Sequence, residues 1–436
     1  MRGRAVGHSS RAGGVKAAHL RDTPRVIDPI AEIEALAGFE GRQAGSDAER
    51  RAANHLKRRL EQLDRHAETE PTEIWPRWHL THLVQALLAI AGSAISVGNP
   101  LIGTILVAAA AMSAIGDITG RLPLIRRATG RRASQNVIST EDGGRPGTLI
   151  LTAHYDTARG GAAYGRLDER RAALGQLLHR PIGPAEPFVW SILLLLVTSA
   201  ARLAGLENTV LSVVQFVPTV VLIVSLPFLA DIALSGPVPG ANDNASGVAT
   251  VLRLADRYGG TLDHMDVWVL LPGAQEAGPL GTRAWLRGHK HELDPLRTIV
   301  LNVDEVGAGT VRYAPKEGPL IALRQHPRLV RLCHQLAEED LEDGRYGAKP
   351  VTARRAGDAY AVRARGLPAI TVSCAGALDR APHHHRLGDT PDQIDPDALE
   401  RAFGFCSELI ELIDEEIGPD IAETAAKAGD ASFSRS

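Results

Sequence analysis

Two long stretches of the chain are apolar and carry no polar stripe. The first runs from Leu80 to Ile118 and is broken at Gly98-Asn99-Pro100. The second runs from Pro187 to Leu234 and is broken around Gly205-Leu206-Glu207-Asn208. Each half of the first is roughly 18 residues long, near the ~20 that a helix needs to span a bilayer. A helix packed on a soluble core normally keeps a polar face. The blocks are therefore expected to form two transmembrane hairpins, four spans in all, with Pro218 and Pro227 kinking the last. Buried hairpins inside a large soluble core are the other reading.

Elsewhere the pattern shortens. Ser46-Asp47-Ala48-Glu49 has the form of a capping box, followed by Ala52, Leu56, Leu60 and Leu63 on one helix face. Thr148 to Ala153 is a brief apolar run of the kind that makes a central strand. Asn136–Thr140, Val267–Leu271, Thr298–Val303 and Ala369–Ser373 are further strand candidates. Helical spacing marks Val248 to Ala255, Leu280 to His289, Leu329 to Glu338, Asp358 to Arg365 and the face Leu399, Phe403, Cys406, Leu409, Ile410, Ile413. Leu167, Leu174, Leu177 and Leu178 suit a helix lying at a membrane interface. Helices alternating with apolar strands predict an α/β domain with a largely buried sheet.

The expected organisation is a disordered N-terminus (1–26), an N-terminal helical part (27–79), hairpin 1 (80–118), the first strands (119–186), hairpin 2 (187–234), the rest of the α/β domain (235–418) and a disordered tail (419–436). Met1 to Arg25 is polar and lacks the apolar core of a signal peptide. Each hairpin returns the chain to the side it left. The flanks on that side carry Arg77, Arg121, Arg126, Arg127, Arg131 and Arg132, whereas Arg202 is the one cation in the far turns. The positive-inside rule then predicts an integral protein of the cell membrane with its α/β domain in the cytoplasm. Cys333, Cys374 and Cys406 are odd in number and widely spaced, which fits a reducing compartment. A net charge of -3 gives no reason to expect a nucleic-acid partner.

The candidate chemistry follows from position. His154 with Asp156, Glu276 and Asp304 each stand just past the end of an expected strand. Asp243 and His385 stand on loops. Asp243 lies in Gly240-Ala241-Asn242-Asp243-Asn244-Ala245-Ser246-Gly247, before a helix; the other reading of that stretch is an Asn/Asp-rich turn with a helix cap. Sites in open α/β sheets form beyond the carboxyl ends of the strands. Imidazole and carboxylate donors without cysteine suit zinc or a similar divalent ion. Five such donors with one shared carboxylate suit a pair of metals.

The ordered stretches Leu149 to Thr157, Gly240 to Gly247, Gly273 to Gly278, Asn302 to Gly307 and His385 to Thr390 resemble metallopeptidase family 28, the co-catalytic dizinc aminopeptidases. Gly41-Arg42-Gln43-Ala44-Gly45-Ser46 resembles that family's N-terminal stretch. The resemblance implies a zinc-aminopeptidase-like mixed central sheet flanked by helices. It implies two zinc ions, with His154 and Asp304 on one, Glu276 and His385 on the other, and Asp243 bridging. Asp156 would orient His154, and the Asp243–Asn244 bond would be cis. His385 takes the ligand role because it stands four residues before Asp389. His383 and His384 are then expected to be exposed loop residues, and Arg354, Arg355 and Tyr360 ordinary surface residues.

The chain departs from that pattern twice. The hairpins are inserted into the domain, the second between Asp156 and Asp243, which should set the domain against the membrane. Gln275 stands where the family has the glutamate that acts as general base. A neutral amide takes up no proton, and losing a positioned base costs about 10²–10⁴-fold in rate. Glu305 is not expected to replace it, because neighbours on a strand point to opposite faces. The implied function is a membrane-anchored zinc peptidase of aminopeptidase or dipeptidase type, acting on peptide substrates with metal-activated water. The alternative is a catalytically impaired, metal-bound peptide-binding or scaffolding membrane protein. Cyclisation of N-terminal glutamine is a third reading.

Overall fold

The computed structural model describes residues 27–433, so the disorder expected for 1–26 lies outside the described residues. Asp28 and Ser46 cap α1 (Pro29–Ala37) and α2 (Asp47–Gln62) through their side chains. β1 (Glu68–Ile74) leads into the helix pair α3 (Trp78–Gly98) and α4 (Pro100–Thr119). The short α5 (Leu124–Arg127), β2 (Arg132–Ser139) and β3 (Gly147–Thr152) follow. After α6 (Arg166–Leu177) comes the second pair, α7 (Glu186–Leu203) and α8 (Thr209–Leu234). The remainder runs α9 (Gly247–Tyr258), β4 (Met265–Leu271), α10 (Leu280–Gly288), β5 (Thr298–Asp304), β6 (Thr310–Glu317), β7 (Leu323–Arg324), α11 (Pro327–Asp343), β8 (Lys349–Ala353), α12 (Asp358–Arg363), β9 (Ala369–Ala375), α13 (Pro396–Glu416) and α14 (Gly418–Phe433).

The strands form one mixed sheet in the order β1-β2-β4-β3-β5-β9-β6-β7, with β8 beside β6. Its centre, β4-β3-β5-β9, is parallel. Successive side chains alternate between faces. Leu149 and Leu151 enter the core under α9 and α13, while Ile150 enters the opposite core with Trp285 and Val362. All four central strands therefore deliver their carboxyl ends to one edge. The sequence pattern missed β1 and β6 to β8. β1 is a polar edge strand carrying Pro71, which only an edge tolerates.

The expected disordered tail is instead mostly helix, α14. Two features explain the difference. Ala-rich sequence has high helix propensity, and Ile417 and Ile421, one turn apart, are buried in the core.

The two apolar blocks give four helices long and apolar enough to cross a membrane. Both chain breaks become helix caps, with Asn99 accepting from Ile102 N–H at 3.1 Å and Asn208 from Leu211 N–H at 2.8 Å. α3 packs on α4 and α8, and α7 packs on the same two helices, closing a four-helix bundle. Small residues permit the close approach that helices in lipid rely on. A Cβ on Gly103 would lie 2.4 Å from the Ser96 backbone. Gln215 adds buried hydrogen bonds, donating to Ser93 O at 2.7 Å and Ser96 Oγ at 2.9 Å and accepting from Arg202 at 2.6 Å. The outward residues, such as Val97, Ile105, Val210 and Phe216, are large, apolar and exposed.

Several polar contacts join the bundle to the α/β domain, among them the following. Arg126 pairs with Asp117 of α4 at 2.7 Å and donates to Ala277 O at 2.5 Å. Arg354 pairs with Glu186 at the start of α7 at 2.5 Å. Asp231 near the end of α8 accepts from Ala162 N–H at 2.7 Å.

Gly103→Leu is expected to cost about 1–3 kcal/mol through overpacking, seen as a lower melting temperature of the purified protein in detergent. Gly98→Ala, with no atom within 4 Å of the new Cβ, should leave the melt unchanged.

Candidate metal centre

The seven residues singled out from the sequence converge at the carboxyl edge of the sheet. β3 runs into His154 and Asp156, β4 into Gln275 and Glu276, and β5 ends on Asp304. Asp243 comes from the turn before α9, and the Asp243–Asn244 bond is cis. That turn is rich in small polar residues because its side chains bind the end of β5. Asn244 accepts from Glu305 N–H at 2.9 Å, Ser246 from Val306 N–H at 3.0 Å and Asn242 from Gly307 N–H at 2.7 Å. Gly247 leaves room for this contact, since a Cβ there would lie 2.4 Å from Val303 O.

Arg42 ties the two halves of the centre together. Its guanidinium donates to Tyr155 O beside His154 at 2.9 Å, and to Pro239 O at 2.6 Å and Gly240 O at 2.5 Å before Asp243. Burial pushes its pKa down to about 10. Glu49 does the same for the Gly273–Gly278 loop, accepting from Ala274 N–H at 3.0 Å and Gly45 N–H at 2.8 Å. The capping box is thus half formed. Ser46 caps the Glu49 N–H, but the Glu49 carboxylate serves the neighbouring loop instead of the Ser46 N–H.

Asp243 lies between two groups of donors. Its Oδ1 faces His154 Nε2 at 3.4 Å, and the same nitrogen lies 3.5 Å from Asp304 Oδ1. Its Oδ2 faces His385 Nε2 at 3.3 Å, and that nitrogen lies 3.0 Å from Glu276 Oε2. Asp156 stands 3.5 Å from His154 Nδ1 and accepts the backbone N–H groups of Gln275 at 2.9 Å and Glu276 at 3.1 Å. One carboxylate therefore orients the imidazole and sets the loop that carries Glu276.

The electrostatics point to missing positive charge. Asp156, Asp243, Glu276, Asp304 and Glu305 crowd together around Arg355, with Arg42 near Asp156 and Asp243. With neutral imidazoles, the carboxylates outnumber the guanidiniums, and buried charge that is not paired is costly. Asp243 Oδ2 and Asp304 Oδ1 are buried without a hydrogen-bond donor. Burial opposes a charge on His154, yet hydrogen bonds to the carboxylates of Asp156, Asp243 and Asp304 outweigh it and hold its pKa well above the usual value. Burial opposes ionisation of Asp243, but His154, His384 and His385 pull its pKa well below normal. Protons on the imidazoles thus stand where cations would otherwise sit. His154, Asp243 and Asp304 form one group close enough to share an ion, and Asp243, His384 and His385 form another.

Three expectations are corrected. His384 is not a free loop residue: its Nδ1 lies 2.7 Å from Glu305 and 3.1 Å from Asp243. Its ring stacks on His385 at 3.8 Å, and His385 adopts φ 53°. Arg355 is not a surface residue, since it pairs with Asp304 at 3.0 Å and with Glu305. Arg354 is likewise engaged at the bundle, while Tyr360 is half-buried against Gly318. Glu305 faces the centre, because β5 ends at Asp304 and Glu305 turns to φ 55°. Asp389, used in the sequence only to place His385, accepts from Asn242 N–H at 2.7 Å and Asp243 N–H at 3.0 Å. Adjacent charged residues beside a ligand, as in Asp304-Glu305 and His384-His385, were the available signal.

Two clefts reach the centre. One of about 740 Å³ runs from His154, Gln275 and Asp304 towards α6, α7 and α8. A second of about 570 Å³, more polar, also touches Glu276 and His385.

The family model for peptidase family M28 matches residues 225–410. That span carries Asp243, Glu276, Asp304 and His385; His154 lies before the second hairpin. The resemblance read from the motifs therefore holds over this part of the chain. None of the curated proteins matches it. Among solved structures, a glutaminyl cyclase from Bacteroides thetaiotaomicron bound to N-acetylhistamine is similar at TM-score 0.52 and 13% identity, covering 89% of this chain and 99% of that one. The Fimbriiglobus ruber glutaminyl cyclase gives TM-score 0.51 and 16% identity, over 91% and 99%. A leucine aminopeptidase precursor from Bacteroides thetaiotaomicron VPI-5482 gives 0.50 and 13%, over 89% and 98%. At these identities the likeness establishes the fold alone, a mixed sheet flanked by helices.

Arg42→Ala is expected to lower the unfolding free energy by about 1–3 kcal/mol, because buried carbonyls lose their donor. Arg42→Lys should recover only part of this, since an ammonium lacks the planar fork. Thermal melts of the three proteins check both.

Proposed function

We propose that the chain is a membrane-anchored, zinc-dependent peptidase of aminopeptidase or dipeptidase type, with its α/β domain in the cytoplasm. The division of the two Asp243 oxygens between the His154–Asp304 pair and the His385–Glu276 pair carries this reading. The nitrogen and oxygen donor set fits zinc, and the orphaned buried oxygens and the excess of carboxylates fit bound cations. His154 and Asp304 would hold one, His385 and Glu276 the other, and Asp243 both. Zinc, when bound, polarises a carbonyl and acidifies water. The chain's own residues do the rest. Asp156 fixes the His154 ring, an arrangement that typically matters 10–100-fold for metal affinity. Arg355 offsets part of the charge on Asp304 and Glu305.

Gln275 supports a second reading. Its side chain borders the larger cleft, where it can donate and accept hydrogen bonds but cannot take up a proton. A metal-bound peptide-binding or scaffolding protein would need no more than that.

The two readings separate in one assay, hydrolysis of aminoacyl and dipeptide substrates by zinc-loaded wild type and Gln275→Glu. The peptidase reading expects turnover by wild type above a metal-free control, lost on chelation and restored by zinc. Turnover by Gln275→Glu alone would establish the binding reading. Asp243→Asn should lower bound zinc, measured by elemental analysis, and activity by at least about 10²-fold.

The orientation is tested with Asp142→Cys, an exposed position in a chain whose native cysteines are buried. A membrane-impermeant thiol reagent should label it only after the cells are opened. Labelling in intact cells would reverse the assignment.

A further inference from the structure

The two clefts differ in chemistry and meet at the same two ligands, Glu276 and His385. The larger is bordered by Leu167 and Leu174 of α6 and by Phe188, Val221, Val224 and Phe228 of the bundle. Several of these apolar residues remain open: Leu174 is 48% exposed, Val221 36% and Val224 53%. The cleft also reaches far along α8. Ile232 meets the connector that follows Asp156, where a Cβ on Gly161 would lie 2.8 Å from it. Val221 stands eleven residues earlier, about 16 Å further along the helix, within the apolar span. The larger cleft thus leads from the ligands to lipid depth.

The smaller cleft is bordered by Arg77, Arg132 and Arg159. Among the described residues, none of the three pairs with a carboxylate. Arg77 donates to Thr129 O, and Arg159 to Ala233 O and Ser235 O. Guanidinium groups left without an acid suit a substrate carboxylate.

We propose that the substrate is an amide amphiphile with a long aliphatic chain on the acyl side and a carboxylate on the amine side, the chemical class of N-acyl amino acids and N-acyl peptides. It enters sideways from the lipid. The chain lies in the apolar cleft, the carboxylate lies among the arginines, and the amide spans the ligands where the clefts meet. This rests on the zinc-hydrolase reading of the centre. Hydrolysis breaks the amide C–N bond, the water oxygen bonds to the acyl carbon, and both water hydrogens end on the leaving nitrogen. The products are a fatty carboxylate and an ammonium.

Transfer from bilayer to cleft exchanges one apolar surrounding for another, so the cleft aligns the chain and adds little affinity. Partition into the bilayer alone would also favour long chains. The test must separate the two. The zinc-loaded full chain in lipid nanodiscs is given N-hexadecanoylglycine, N-acetylglycine and N-hexadecanoylglycinamide. Wild type should hydrolyse the hexadecanoyl compound at least tenfold more efficiently in kcat/KM than the acetyl one. Val224→Trp, which fills the cleft, should cut that ratio at least fivefold. Val213→Trp, exposed on the same helix but outside the cleft, should keep it. Arg132→Gln should narrow the preference for the glycine over the glycinamide compound. An equal chain preference in Val224→Trp and wild type would mean partition alone and would overturn the proposal.

Absence of any turnover would fail the hydrolase reading, and binding then decides the inference separately. A diazirine-bearing hexadecanoylglycine, photolysed in the same nanodiscs, should label the segment 221–228 and α6. Labels spread evenly over the outer bundle faces would identify ordinary surrounding lipid and overturn the proposal.

Discussion

A buried cluster in which carboxylates outnumber guanidiniums calls for further positive charge, and the α/β half of this molecule is arranged around that constraint. Asp243 takes the central place because each of its oxygens faces a different histidine, His154 on one side and His385 on the other. Such a carboxylate must be held from several directions. Asp389 binds its backbone, the 240–247 turn clasps the end of β5, and Arg42 joins the turn to the strand that carries His154. Each of these contacts is made by a buried polar group whose hydrogen-bonding needs are met by the next. The centre and the loops around it therefore stand as one network.

The helical hairpins are coupled to that network rather than appended to it. Arg126 bridges Asp117 at the end of α4 and the carbonyl of Ala277, the residue after a metal-ligand candidate. The first residue of α7, Glu186, is clamped by Arg354, whose neighbour Arg355 pairs with Asp304. The ends of α4 and α7 nearest the domain thus sit close to the metal-ligand candidates. Between His154 and Asp243 the chain carries a connector and a helical hairpin. These supply one wall of the larger cleft.

Gln275 makes the chemistry conditional. The backbone of Gln275 is placed by Asp156 as firmly as that of Glu276, so the position is built even though its side chain takes no proton. Glu305 and His384 bring a second carboxylate–imidazole pair to the same space, 2.7 Å apart. The strand rule that set Glu305 aside does not apply to a residue that follows the strand in a left-handed turn.

The amino-acid sequence alone determined the four long apolar helices, the central strands and the residue types gathered at the centre. These depend on local properties: hydrophobic period, turn-forming residues and donors placed at strand ends. It also showed an amide, Gln275, beside Glu276, a matter of one side chain. Only the tertiary structure decided which oxygen of Asp243 faces which histidine, that Glu49 supports a loop 225 positions away, and that His384 and Arg355 join Glu305 from 79 and 50 positions away. No local pattern encodes such meetings, because they arise when the ends of parallel strands are packed to one edge and the intervening loops must share the same small volume. The two clefts belong to that second category as well. The apolar and basic residues lining them are ordinary in sequence and acquire a common purpose only where the bundle meets the sheet.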